Sequence, residues 1–261
     1  MKRVLTAIGL LILALYLIFF APHWGFLAAA LITGILCYRE YDALVAAHGI
    51  PRPGILGALI GVYVLFAPWF VSPAVDTLLG LTLALLLVCI LALRFTSLKD
   101  ILPHAGSVIF GALYTFAPWR FAVDLRSASV HLLFFALALN WAGDTTAYYV
   151  GRAFGKHPLA PVVSPKKSWE GALASVAGSI LFGALYLGHF VQPFAVWKIV
   201  TMAVLGNVAG QFGDLAESAI KRGAGVKDSG NLLPGHGGIL DRLDSSLFAL
   251  PVVLLVYGLV K

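Results

Sequence analysis

Apolar runs long enough to cross a lipid bilayer follow one another along almost the whole chain. A bilayer core needs roughly 20 residues of helix, and nine runs approach that length: 4–21, 23–37, 54–71, 75–95, 105–120, 130–150, 171–190, 196–214 and 243–260. A backbone in hydrocarbon must satisfy its own N–H and C=O groups, so each run is predicted to be an α-helix. None shows the alternation of a membrane β-barrel strand. Proline and glycine mark run ends at "APHWG" (21–25), "PRPG" (51–54) and "VSP" (71–73). Only 11% of the 261 residues are charged and the mean hydropathy is +0.92, which excludes an ordinary soluble domain with about a quarter of its residues charged. The expected fold is all-α, a polytopic integral membrane protein of about nine transmembrane helices, the second and fifth runs being the shortest.

The opening "MKRVLTAIGLLILALYLIFF" has the basic start of a secretory signal, but its apolar run is as long as a spanning helix and further spans follow, which favours a first membrane helix. Cys37 and Cys89 fall at or inside runs and point to neither a disulfide framework nor a metal site. If nine spans alternate across the membrane, four of the eighteen basic residues (Arg120, Arg126, Lys198 and Lys261) lie on one side and the other fourteen share the side of the N-terminus. The positive-inside bias then places the N-terminus in the cytoplasm and the C-terminus outside. The net charge of +6 is scattered along one membrane face with no basic helix or stacking-aromatic module. That argues against nucleic acid and for anionic lipid headgroups and a phosphorylated substrate.

The polar content of the cytoplasmic side concentrates in two loops, 151–170 and 215–242, and in the helices leading into them. In "GNVAGQFGDLAESAIKR" (206–222), Asn207, Gln211, Asp214 and Ser218 share one helical face, with Glu217 and Lys221 beside it. Intramembrane carboxylates face a polar cavity or a partner, so a structural Glu217–Lys221 or Asp214–Lys221 pair competes here with a functional site. Downstream, "DRLDSS" puts Asp241 and Asp244 on one face of a first helical turn, where they serve either the helix dipole or a ligand. Asp214 and Asp241, from two helices, form an oxygen set suited to magnesium. Between them lie Lys221, Arg222, Lys227, Asp228 and Arg242 among closely spaced glycines, which let backbone N–H groups approach a phosphate chain. Carboxylates for metal beside basic side chains are equipment for phosphoryl transfer. His236 is open to three roles: proton carrier, phosphate contact or strut.

The second loop repeats the theme. Asp144 stands near the end of the sixth run, and "SPKKSWEG" (164–171) places Lys166, Lys167, Ser168 and Glu170 just before the seventh. The lysine pair serves either topology or a phosphate, and Ser168 and Glu170 either a ligand or a helix cap.

Ser218, Lys221–Arg222, Lys227–Asp228, Pro234, "HGG" (236–238) and Asp241–Arg242–Leu243–Asp244 together resemble the signature of the phosphatidate cytidylyltransferases, the CDP-diacylglycerol synthases. "GDTTAYYVGRAFGKH" and "SPKKSWEG" are similar to the same family, so the resemblance covers at least 140–244, while the first hundred residues match only as generic membrane helices. The resemblance implies transfer of CMP from CTP to phosphatidic acid, yielding CDP-diacylglycerol and pyrophosphate in phospholipid biosynthesis. It also implies a Mg2+ requirement, a monovalent cation such as K+ as a second ion, a homodimer, and a cavity facing the cytosol and open to the lipid of an inner or plasma membrane. Residues 1–125 would then be N-terminal membrane helices and 126–261 the catalytic region. On this reading Asp214 and Asp241 hold cations, with Asp144 and Asp244 as further candidates. Lys166, Lys167, Lys221, Arg222, Lys227 and Arg242 hold phosphates, and Ser218 and Glu217 orient ligands. A cation-coupled transporter and a polyprenol kinase are the rival classes, the first with its carboxylates at broken helices near the midplane.

Overall fold

The computed structural model describes residues 2–94, 98–191, 194–233, 235 and 237–260; the candidate His236, and Pro234, lie outside the described residues. Among the described residues nine α-helices follow in order: α1 (Lys2–Phe19), α2 (His23–Ala47), α3 (Gly54–Phe66), α4 (Pro73–Arg94), α5 (Ile101–Ala128), α6 (Val130–Phe154), α7 (Trp169–Phe190), α8 (Val196–Gly223) and α9 (Leu240–Val260). Each overlaps one apolar run. Five spans among the described residues, Ala74–Leu91, Leu98–Ala128, Trp169–Phe190, Val196–Gly223 and Leu240–Leu259, are long and apolar enough to cross a membrane. The chain is thus a helical membrane protein.

The two runs read as shortest belong to long helices, 25 residues in α2 and 28 in α5. Apolar content limits how much helix lies in lipid, but the backbone ladder continues until capping or a breaker stops it. The continuation of α2 past residue 37 carries Arg39, Glu40 and Asp42, and that of α8 past residue 214 carries Glu217, Lys221 and Arg222. Among the described residues Pro158–Ala160 (β1) pairs antiparallel with Ser164–Ser168 (β2) in the connection between α6 and α7, and Leu233 bridges Gly237.

The core joins both halves of the chain. Cys37 of α2, Phe116 of α5, Phe135 and Leu139 of α6, Met202 of α8 and Leu250 of α9 are fully buried in one cluster. Helix α5 runs across the 125/126 division. Cys37 and Cys89 are both free thiols. On α4, Leu78, Leu81, Leu85 and Leu93 are between 60% and 89% exposed, a surface that suits lipid and would be an association liability in water.

Two sets of polar contacts tie helix ends together. At one end Gly54 N donates to Asp42 Oδ1 (2.8 Å), a ring nitrogen of His48 meets the Ile220 carbonyl (2.9 Å), and the start of α9 meets α2. At the other, Arg126 donates to the carbonyls of Ile18 and Ala21, Arg120 pairs with Asp76 (3.3 Å), and His131 bonds Tyr186 (2.9 Å). The end of α2 and the starts of α3, α7 and α9 therefore lie with the ends of α6 and α8.

Candidate active site

At the first of these ends, α6, α7, α8 and the hairpin enclose a cavity of about 520 Å³. Its walls include Asp144, Lys166, Lys167, Ser168 and Asp214, so Asp144 and Asp214 share one space with the lysine pair, whereas Asp241, expected to join Asp214 in one cation set, does not line it among the described residues. Tyr148, Arg152 and Gln211 also line it; Tyr148 and Arg152 follow Asp144 at one and two helical turns. The Lys167 ammonium donates to Asp214 Oδ2, and Ser218 Oγ donates to Asp214 Oδ1 (3.3 Å). Arg152 donates to the Tyr148 hydroxyl (3.1 Å).

The hairpin sets where the lysines stand. Ser168 ends β2 and caps α7, accepting from Gly171 N at 3.1 Å. Glu170 accepts from His157 N (3.3 Å) and pairs with His157 Nδ1 (2.6 Å), fastening the hairpin base to the first turn of α7. Glu170 does not line the cavity among the described residues.

Beneath the cavity a polar network crosses the helix interfaces. Asn207 Nδ2 donates to Ser175 Oγ (3.0 Å) and Ser179 Oγ (2.9 Å), and Gln211 Nε2 donates to Asn207 Oδ1 (2.7 Å). Helices approach this closely because Gly143 has no side chain. A Cβ there would overlap Asn207 and Ser175 and lie 2.9 Å from Ser179 Oγ. Gly143→Ala is expected to lower thermal stability by about 1–3 kcal/mol, the usual cost of overpacking. Gly106→Ala, with open space within 4 Å, is the matched control in a detergent melting assay, and equal melting temperatures for the two would contradict the packing.

A second group of candidates joins α8 to α9. Lys221 Nζ lies 2.5 Å from both Glu217 Oε2 and Asp241 Oδ1, joining α8 to α9. The other oxygen of Asp241 accepts from Ser229 N (2.9 Å), Ser229 Oγ (3.0 Å) and Gly238 N (2.8 Å). Glu217 is wholly buried, and its Oε1 has no hydrogen-bond partner among the described residues. Asp244 Oδ1 accepts from Ser245 N (2.6 Å), and the Asp244 carbonyl packs against Gly213 of α8, where a Cβ would lie 2.5 Å from it. Arg222 donates to the Val226 carbonyl (3.0 Å), and Arg222, Lys227, Asp228 and Arg242 are exposed.

Among the described residues no three His, Cys, Asp or Glu side chains form a metal-holding group. Asp144 and Asp214 nonetheless suit magnesium, which is commonly held by one or two carboxylates with water and substrate oxygens completing its shell. The Lys167 ammonium already places a positive charge against Asp214. Asp241 has less freedom, since a cation there must displace Lys221 or a loop N–H.

The sequence matches the model of the cytidylyltransferase family over residues 1–260. It is 35% identical over 206 residues to a phosphatidate cytidylyltransferase of Staphylococcus saprophyticus, covering 77% of each chain. It is 32% identical over 255 residues to that of Staphylococcus haemolyticus, covering 96% of each, and 32% identical over 227 residues to that of Staphylococcus aureus, covering 85% of each. With a carboxylate and lysine cavity at one end of a helical membrane bundle, and relatives matched over most of their length, the chain belongs to the cytidylyltransferase family.

Proposed function

We propose that this chain transfers CMP from CTP to phosphatidic acid. An oxygen of the lipid phosphate forms a bond to the α-phosphorus of CTP, the bond from that phosphorus to the β-phosphate oxygen breaks, and pyrophosphate leaves with that electron pair. CDP-diacylglycerol remains in the membrane. The observation that carries this reading is the shared cavity of Asp144, Asp214, Lys166 and Lys167 in a chain of this family.

The lipid phosphate is an ionised nucleophile, so no side chain has to attack, and the protein's work is alignment and charge neutralisation. Lys166 and Lys167 offer ammonium donors to phosphate oxygens, and Lys167 can pass from Asp214 to a phosphate without leaving the cavity. Arg222, Lys227 and Arg242, exposed around the glycine-rich loop, extend the basic surface toward incoming CTP and headgroups. Asp144 and Asp214 would hold the Mg2+, which when bound neutralises triphosphate charge, with K+ as a second cation. Asp241, matched to a cation on sequence grounds, here fastens the loop and Lys221 to α9.

Nine spans, a cytoplasmic N-terminus, an outer C-terminus and a cytoplasm-facing cavity in the plasma membrane are part of the proposal. They are supported by the basic residues crowding the cavity end and by the alternation of helix ends. A homodimer is proposed with them. The test is to incubate detergent-purified protein with phosphatidic acid, labelled CTP and Mg2+. Lipid-soluble label and pyrophosphate are expected in equal amounts, both abolished by a chelator. Folded protein that labels a polyprenol phosphate but no phosphatidic acid would move the reading to another acceptor.

A further inference from the structure

Glu40 lies in the continuation of α2, far from the signature in sequence, yet it is buried against it. Its Oε1 accepts from Ile239 N (2.9 Å), and its Oε2 accepts from Leu240 N (2.8 Å) and Ser229 Oγ (2.8 Å). These three partners include no cation. What offsets the burial of the carboxylate is the start of α9, whose first N–H groups lack helical acceptors and whose dipole favours negative charge. A residue 200 positions earlier thus caps α9 at Leu240. The fit depends on two glycines of the signature loop. A Cβ on Gly230 would lie 2.8 Å from Glu40 Oε1, and one on Gly238 would overlap Oε2.

The Ser229 hydroxyl links this carboxylate to the next. It stands 2.8 Å from Glu40 and 3.0 Å from Asp241, and it carries one proton to donate. Ser229 N and Gly238 N both go to Asp241. The two carboxylates together pin both ends of the 229–238 loop, one from α2 and one from α9.

We propose that Glu40 is a positioning residue for cytidylyl transfer. It holds the glycine-rich loop and the first turn of α9, with Asp241, Arg242 and Asp244, in the arrangement the charged substrates require, without touching them. The proposal rests on the reaction described above.

The test is a double-mutant cycle on turnover per folded molecule, using Glu40→Gln, Ser229→Ala and the double variant in the phosphatidic acid assay. A glutamine keeps the shape, but its NH2 group faces a backbone or hydroxyl donor that the carboxylate accepted. Glu40→Gln is expected to lower kcat about 10²-fold, the scale of a displacement of about 1 Å at a reacting group, with KM for CTP changing far less. The double variant is expected to fall no further than the weaker single, because both act through one loop. Wild-type kcat in folded Glu40→Gln, or single losses that multiply in the double variant, would overturn the role. If Glu40→Gln does not fold, Glu40→Asp takes its place under the same two criteria. An inactive wild type would refute the reaction itself, whereas an active wild type with an unaffected variant refutes only the role of Glu40.

Discussion

Asp214→Asn is expected to reduce CDP-diacylglycerol formation by about 10²–10³-fold, the range found when one preorganised electrostatic group is removed from a reacting centre. The substitution keeps side-chain volume and the capacity to accept from Ser218, so the helix and its packing persist. It removes the charge that faces Lys167 and Asp144 in the cavity. The Lys167–Asp214 pair is partly solvated, 29% exposed on each side, and such pairs contribute about 0–1 kcal/mol, so the melting temperature should stay within a few degrees. A rise in the Mg2+ concentration needed for half-maximal activity is expected alongside. Asp144→Asn should show the same signature, and Glu170→Gln, whose partner is His157 outside the cavity, a much smaller loss. An Asp214→Asn protein that turns over normally would remove the cavity from the reaction.

What the amino-acid order could reveal depended on how local the physics was. Among the described residues each of the nine apolar runs overlaps an α-helix, the one local solution for a backbone that must satisfy its own polar groups in lipid. Asp144 and Asp214 were legible because each stands near the polar end of an apolar run, and the ends of α6 and α8 meet. The hairpin was not legible: three- and five-residue strands with a proline at their first or second position, Pro158 and Pro165, carry almost no β signal. Glu40 was invisible for another reason. In "CYREYD" it looks like a solvated helix end, and all three of its partners lie 189–200 residues away. Asp241 and Asp244 share a face by spacing, but the loop claims Asp241, whereas the Asp244 carboxylate accepts from Ser245 N on its own helix. Only the folded loop distinguishes them.

Lys221 is where spacing left two readings open, a structural ion pair or a phosphate contact, and the geometry makes a sharp expectation. Its ammonium is 2.5 Å from two carboxylates, with side-chain exposures of 0% for Glu217 and 5% for Asp241. Removing one partner of a buried ion group leaves uncompensated charge and costs about 3–5 kcal/mol, a large part of the stability of a typical domain. Lys221→Met should therefore lower the folded yield in detergent and the melting temperature sharply. Adding Glu217→Gln should restore much of both, since Asp241 keeps Ser229 N, Ser229 Oγ and Gly238 N as donors. Glu217→Gln alone should be far milder, because Lys221 retains Asp241. The same variants separate fold from chemistry. If the Lys221→Met/Glu217→Gln protein folds and turns over within about tenfold of wild type, Lys221 acts as an internal strut between α8 and α9. A loss of three orders of magnitude in that folded protein would instead mean that the ammonium leaves its carboxylates for a substrate phosphate during turnover. A Lys221→Met protein as stable as wild type would refute the buried triad altogether.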